Sequence, residues 1–153
     1  MKTYLIAIAS LFLFTGCLKD DSCTPKTVQS ETATMLNYAN TNGITPTTHS
    51  SGMLYQIVSA GAGATPTATS TVTVRYTGKL MDGTVFDSNA TGSPISFGLN
   101  QVIQGWQLGI PLIKKDGVIK LIIPSSLAYG CAGYGSIPGD AVLYFEVQLI
   151  DVQ

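Results

Sequence analysis

The sequence is poor in charge, histidine and cysteine, and each shortage excludes a class of function. Only 11% of the 153 residues are charged, against about 25% in an average globular domain. The basic pair Lys114-Lys115 is too small to bind nucleic acid electrostatically. One histidine, His49, and three cysteines without a Cys-x-x-Cys spacing make no metal-ligand set. We therefore expect neither nucleic-acid binding nor a metal centre.

The sequence also lacks the pattern of a serine hydrolase. Ser125-Ser126 and His49 supply the residue types for such a site, but His49 lies in a polar loop and no Gly-x-Ser-x-Gly elbow occurs. A hydrolase is therefore not expected.

No apolar run is long enough to cross a membrane as a helix. The run Tyr4–Phe14 has 11 residues, whereas a spanning helix needs about 20. Placed behind Met1-Lys2, it is typical of a secretory signal peptide. The following Phe14-Thr15-Gly16-Cys17 resembles the bacterial lipobox, in which small residues precede a cysteine that is diacylated. We expect a signal peptide over 1–16 and lipidation at Cys17; the alternative is an ordinary signal peptide with a chance cysteine.

A lipidated Cys17 predicts a protein of the bacterial cell envelope that is anchored to a membrane without spanning it. Two or more acyl chains make a stable anchor, because each buried methylene contributes about 0.8 kcal/mol. Lys19-Asp20-Asp21 resembles a surface-export signal of some Gram-negative lipoproteins, although a solvated linker has the same composition. The predicted location is the outer membrane, on its periplasmic or its surface face.

The other two cysteines, Cys23 and Cys131, have two interpretations. In an oxidising compartment they can pair and tie the tether to the domain. Alternatively they are two free thiols, and spacing along the chain does not decide between the two.

Residues 17–50 are predicted to form a lipidated tether with one short helix. Thr24 and Pro25 suit the N-cap and the first helical position, and Asn42-Gly43 suits a stop after Asn40. Residues 41–50 are expected to be a loop. The apolar face of the helix is expected to hold Val28, Met35, Leu36 and Ala39.

From residue 51 the pattern is that of strands, which predicts a domain over 51–153. Apolar residues alternate with polar ones along Val72–Thr77 and again along Val142–Val152, as in half-buried strands. In the second run Leu143, Phe145, Val147 and Leu149 are predicted to share one side. Val102–Leu108 is the one candidate for a central helix. An antiparallel sheet with a helix on one face, an α+β fold, is therefore expected.

The order of landmarks in this region resembles the FKBP-type peptidyl-prolyl cis/trans isomerase domain, in the form of a bacterial lipoprotein. Together the landmarks cover about 80 residues, and their shared order makes the match specific. They are Val72–Gly78, Asp82–Ser88, Val102–Trp106, Leu121–Pro124, Ala128–Gly130, Ile137–Pro138 and Leu143–Val147. The resemblance implies a five- or six-stranded antiparallel sheet wrapped around a short helix, with an apolar pocket between them.

The resemblance also implies roles for individual residues. The catalytic group would comprise Tyr76, Asp87, Trp106 and Tyr129. Trp106 would form the pocket floor, and Asp87 and the Tyr129 hydroxyl would be the polar groups of the rim. The Ile103 N–H would donate a hydrogen bond to the substrate, and Tyr134 would overhang the pocket. The substrate-binding residues would be Phe86, Phe97, Val102, Ile103, Tyr134, Ile137 and Phe145.

Three features depart from the family's usual pattern. Pro94-Ile95 stands where a second wall aromatic is common, and the loop between Asp87 and Pro94 is one residue short. The loop from Gly130 to Ile137 is also short, which leaves no room for an inserted chaperone domain. We expect these changes to affect macrolide affinity and substrate preference more than the activity itself.

The implied function is isomerisation of Xaa-Pro bonds in exported proteins, which requires no cofactor. The implied partners are proline-containing polypeptides and macrolide ligands, and with no heptads a monomer is expected. The alternative is a chaperone-like module that holds proline-containing segments without significant turnover.

Overall fold

The computed structural model describes residues 23–153, which form two helices and one antiparallel sheet of seven strands. The helices are α1 (Val28–Thr41) and α2 (Gln104–Gly109). The strands are β1 (Thr47–Thr48), β2 (Leu54–Ser59), β3 (Thr71–Leu80), β4 (Val85–Ser88), β5 (Ile95–Gly98), β6 (Val118–Ile123) and β7 (Leu143–Val152). The α+β architecture expected from the sequence is confirmed.

The sheet is organised around its two ten-residue strands, β3 and β7. The strand order is β1-β2-β6-β7-β3-β4, and β5 pairs with β3 alongside the part that β4 leaves free. Five or six strands were expected. The additional short strand β1 lies in the segment 41–50, which was predicted to be a loop; Thr47 and Thr48 pair with the start of β2.

Helix α2 packs on the inner face of the sheet, and two glycines allow its close approach to β6. A Cβ on Gly105 would lie 2.5 Å from Ile123 Cγ2, and one on Gly109 would lie 2.7 Å from Leu121 Cδ2. Both distances are too short for real carbon atoms, so the absent side chains let Trp106 lie deep in the core, at 5% exposure. The predicted helix over Val102–Leu108 is thus observed, starting two residues later.

Helix α1 covers the opposite face, where Met35, Tyr38 and Ala39 pack on β2, β6 and β7. Its N-cap is Thr27, whose side chain accepts a hydrogen bond from the Ser30 N–H. The prediction of Thr24 as the N-cap was therefore wrong by one turn, and Pro25 precedes the helix.

The predicted apolar face of α1 needs one correction, because Leu36 is 42% exposed while Tyr38 is buried. The stop at Asn42-Gly43 is confirmed, since Asn42 is the C-cap and Gly43 has φ +62°. A helix with this register places Tyr38, rather than Leu36, against Tyr144 of the sheet, with ring centroids 5.3 Å apart.

The alternation predicted for β7 is confirmed. Leu143, Phe145, Val147 and Leu149 belong to the inner core beside α2. Tyr144 points to the other face and packs against α1. In β6, Leu121 and Ile122 likewise belong to the inner and outer cores. Because α1 and α2 cover both faces here, both of these β6 residues are buried.

A disulfide joins Cys23 to Cys131, with Cα atoms 5.7 Å apart and 108 residues of separation. Of the two interpretations of these cysteines, the structure has the paired one. The nearby Lys26 N–H also donates to Asp140 Oδ1, at 3.4 Å. The segment preceding α1 is thereby attached to the loop that follows Tyr129.

The predictions for the signal peptide, Cys17 and Lys19-Asp20-Asp21 lie outside the described residues. Among residues 23–153, neither helix has the length and apolar character needed to cross a membrane.

Candidate active site

A cavity of about 300 Å³ lies between α2 and the inner face of the sheet. Nine of the eleven residues predicted for the pocket line it: Tyr76, Phe86, Asp87, Phe97, Val102, Ile103, Trp106, Tyr129 and Phe145. These residues come from four strands, α2 and two loops, so the fold assembles side chains that are far apart in the sequence.

The Trp106 ring lies at the centre of the aromatic lining. Its centroid is 5.1 Å from that of Tyr76 and 5.1 Å from that of Phe145, both in edge-to-face geometry. Phe97 lies 5.6 Å away in a tilted arrangement. Such contacts add about 0.5–1.5 kcal/mol each to the burial of the rings. Trp106 and its neighbours therefore form one cluster of aromatic rings at the cavity.

Gly78 of β3 makes room for the wall that Phe86 and Phe145 form. A Cβ at this position would lie 2.7 Å from Phe86 Cζ and 2.8 Å from Phe145 Cε1. With no side chain there, the two rings meet edge to face at 5.5 Å. This glycine is thus a steric requirement of the cavity wall.

The ionisable groups of the site are Asp87 and two tyrosine hydroxyls. Tyr76 donates its hydroxyl to Asp87 Oδ2. Burial, together with Asp87, raises the pKa of Tyr76 well above its usual range. Burial is also the main cause that raises the pKa of Tyr129, followed by the charge of Asp87 and by Tyr134. Both hydroxyls consequently keep their protons, and hence their capacity to donate, well beyond neutral pH.

Asn89, which the sequence did not single out, holds the strand that carries Tyr76. Its Oδ1 accepts the Tyr76 N–H at 2.7 Å, and its Nδ2 donates to the Val74 carbonyl at 3.2 Å. The Asn89 amide thus provides hydrogen bonds to β3 in the gap between β4 and β5, where neither strand pairs with β3. An Asn directly after a strand signals a turn, but its bonds to β3 depend on tertiary structure.

Ile103, one of the lining residues, is the N-cap of α2. The Ile103 carbonyl accepts from Trp106 N and Gln107 N. Within residues 23–153 its N–H has no acceptor, so this donor is available to a ligand. Gln107 Nε2 donates to the Val102 carbonyl at 2.8 Å, which holds this turn in place.

The two remaining predicted residues lie outside the lining. Tyr134 is 71% exposed and stacks on Tyr129, with centroids 5.3 Å apart and planes 15° from parallel. Ile137 is 7% exposed and belongs to the inner core, and it exchanges two backbone hydrogen bonds of 2.9 Å with Tyr134. Ile137 therefore supports the position of Tyr134 and does not form a wall.

Two lining residues were not predicted, Ile95 and Gln101. Ile95 was noted in the sequence only as a departure, standing where a second wall aromatic is common in the family, and it lines the cavity at that place. Gln101 ends a short 3₁₀ turn, Leu99–Gln101, and no local pattern marks it.

Comparison with known proteins shows which family the chain resembles. The family model described as FKBP-type peptidyl-prolyl cis-trans isomerase matches residues 63–150, more than half of the chain. The chain belongs to this family.

Among curated relatives, FKBP-type peptidyl-prolyl cis-trans isomerase FkpA of Escherichia coli is 50% identical over 107 residues, which is 69% of this chain and 40% of the relative. A probable FKBP-type isomerase of Haemophilus influenzae is also 50% identical over 107 residues, covering 69% of this chain and 44% of the relative. The chain thus matches less than half the length of these curated relatives.

Solved structures show the same fold. The crystal structure of FkpA from Escherichia coli has a TM-score of 0.74 and 43% identity, covering 82% of this chain and 61% of that one. A peptidyl-prolyl cis-trans isomerase from Pseudomonas syringae has a TM-score of 0.70 and 30% identity, covering 86% of this chain and 99% of that one.

Proposed function

We propose that this FKBP-type chain catalyses cis/trans isomerisation of Xaa-Pro bonds in exported polypeptides. The observation that supports this most is the cavity of about 300 Å³, which is lined by Trp106 and five other aromatic side chains. A proline ring is compact and apolar, and it fits against an aromatic floor. Residues 51–153 would form the isomerase unit and residues 17–50 its lipidated tether.

The lining suits a reaction that needs neither a nucleophile nor a metal. The barrier to rotation about a peptide bond is about 18–20 kcal/mol and arises from amide resonance. Resonance places negative charge on oxygen and positive charge on nitrogen in the planar state, and twisting removes this separation. A dry aromatic cavity solvates the planar form poorly and the less polar twisted form comparatively better. Binding that favours the twisted form lowers the barrier.

The polar groups would hold the polypeptide while one side of the bond rotates. The Tyr129 hydroxyl would be one donor, since a tyrosine is protonated at neutral pH and burial raises this pKa further. The N–H of Ile103, another lining residue, would be a second donor. Asp87 fixes the orientation of Tyr76 by accepting its hydroxyl. In this proposal all three act by positioning, and none transfers a proton.

The test is the cis-to-trans rate of a Xaa-Pro peptide in the presence of the purified chain. We expect acceleration over the uncatalysed rate, which corresponds to tens to hundreds of seconds. The same peptide is titrated while the fluorescence of Trp106, the one tryptophan, is followed. Binding without acceleration would favour the chaperone-like module. If the peptide neither binds nor isomerises faster, the cavity is not the site.

We infer that the chain acts at the bacterial outer membrane, attached through Cys17. The lipobox-like Phe14-Thr15-Gly16-Cys17 supports this, and the relatives reported above are bacterial. The same cavity would accept the macrolide ligands that the resemblance implies. The chain is proposed to act as a monomer.

Cys17→Ser is expected to release the protein from the membrane fraction, because no acylated residue would remain. The measurement is detergent phase partitioning of the chain expressed in a Gram-negative host, with intact mass to detect the acyl groups. Lys19→Ala is the matched control and should stay in the detergent phase. A Cys17→Ser chain that still partitions with the detergent would contradict the anchor.

A further inference from the structure

Glu31 of α1 is a buried carboxylate that the site described above does not use. It is 3% exposed, and it lies outside the residues 63–150 that the family model matches. Its Oε2 accepts the Ser125 backbone N–H at 2.9 Å, in a bond that is itself buried. Burying a carboxylate costs free energy unless hydrogen bonds replace its lost hydration. The presence of a carboxylate at this position therefore needs an explanation.

Ser125 transmits this contact directly to the residues on both sides of Tyr129. The Ser125 carbonyl accepts from Ala128 N at 3.0 Å and from Gly130 N at 2.9 Å. Hydrogen bonds on both sides of one residue, Ser125, therefore connect the Glu31 carboxylate to the backbone that carries the Tyr129 side chain. The position of the Tyr129 hydroxyl depends on this backbone.

The segment that carries Glu31 holds the same loop at two further points. Cys131, two residues after Tyr129, is bonded to Cys23. The Lys26 N–H donates to Asp140 Oδ1, and the Asp140 N–H in turn donates to the Gly130 carbonyl at 2.9 Å. All three attachments converge on the loop over residues 125–140, which also carries Tyr134.

Packing of α1 on the sheet does not require a carboxylate at position 31. Met35, Tyr38 and Ala39 supply the apolar contact, and an apolar side chain would fill this position at lower cost. Among residues 23–153 the one ion pair joins Lys115 to Asp151 and does not involve Glu31. The carboxylate instead gains from the Ser125 N–H and from its place in the first turn of α1.

We propose that Glu31 is a positioning residue for the isomerase reaction, acting through Ser125 on Tyr129. This inference rests on the proposed function. It assigns the N-terminal helix a part in the site: the helix braces the loop that carries Tyr129 from the opposite face of the sheet.

The test compares kcat and KM of parent, Glu31→Ala and Gln29→Ala chains with one Xaa-Pro peptide. Glu31→Ala is expected to lower kcat/KM about five- to tenfold, because displacement of a positioning group by a fraction of an ångström weakens catalysis. Gln29→Ala removes a similar volume from the same turn at an exposed position and should match the parent. Equal kcat/KM in the parent and a fully folded Glu31→Ala chain would overturn the proposal.

A double-mutant cycle with Tyr129→Phe separates positioning from a general loss of stability. If Glu31 acts through Tyr129, its replacement should cost little in the Tyr129→Phe background, so the two effects should not add. Full additivity would overturn the route through Tyr129. Should Glu31→Ala fail to fold, Glu31→Met keeps the length and volume while removing the acceptor, and the same comparisons apply.

Failure of the proposed function is distinguishable from failure of this inference. A parent chain that binds the peptide without turnover would refute the isomerase activity. The variants would then be compared by their Kd for the peptide, measured from Trp106 fluorescence. A Kd several-fold higher for Glu31→Ala than for Gln29→Ala would then support the positioning role of Glu31, and equal values would overturn it.

Discussion

Trp106→Ala is expected to lower the isomerisation rate about a hundredfold, the scale of loss that follows a misplaced substrate. The substitution removes the floor of the cavity and the ring that contacts Tyr76, Phe97 and Phe145. Water would enter the space, and the twisted, less polar amide would lose its advantage over the planar one. The measurement is kcat/KM for a Xaa-Pro peptide at a temperature at which the variant is folded.

Stability must be controlled in this experiment, because Trp106 is 5% exposed and truncation of a buried tryptophan costs about 3–5 kcal/mol of unfolding free energy. Leu54→Ala is a suitable control. Leu54 is 2% exposed and belongs to the outer core, on the face of the sheet away from the cavity. It should lower Tm while keeping most of the activity. A folded Trp106→Ala chain with parental activity would mean that the substrate binds elsewhere.

Cys131→Ser is expected to lower the free energy of unfolding by about 2–5 kcal/mol. The Cys23–Cys131 bond closes a loop with a separation of 108 residues, and a long loop restricts the unfolded chain strongly. The measurement is chemical denaturation of the parent and the variant, each with and without a dithiol reductant.

Reductant should bring the parent to the stability of Cys131→Ser and leave the variant unchanged. Cys23→Ser should behave like Cys131→Ser, since either substitution opens the same loop. Maleimide labelling followed by intact mass counts the free thiols in each sample. A parent whose unfolding midpoint is insensitive to complete reduction would contradict a stabilising role.

The parts of the fold that were predictable are those in which periodicity and burial agree. In β7 a residue every second position faces the inner core, so alternation alone placed Phe145 and Val147 correctly. The need for a glycine at position 105 could not be predicted from the sequence. Its steric demand comes from Ile123, which is distant in sequence.

The start of α1 was mispredicted because Thr24 and Thr27 are both competent N-caps. Thr24-Pro25 is the stronger local signal, but it lies next to Cys23, whose bond to Cys131 holds that segment against the domain. Tertiary contact of this kind overrides local propensity. Starting the helix at Val28 then changes which side chains face the sheet, so Tyr38 is buried and Leu36 is not.

The candidate site was largely predictable because the family's landmarks keep their order along the chain, and nine pocket residues were placed on that basis. What could not be predicted depends on contacts across the fold. Asn89 reaches β3, and Glu31 reaches Ser125, 94 residues further along. No local pattern marks either contact.

The place of β7 in the strand order has a consequence for how this chain matures. Although β7 is the last strand along the chain, it lies between β6 and β3. Without residues 143–152 the sheet would consist of two separate groups of strands. The complete sheet therefore cannot form while the polypeptide is still being synthesised, because β7 joins its two halves and is made last. Until then the domain stays unfolded. Under the proposed export, this late closure would keep the chain unfolded while it crosses the membrane.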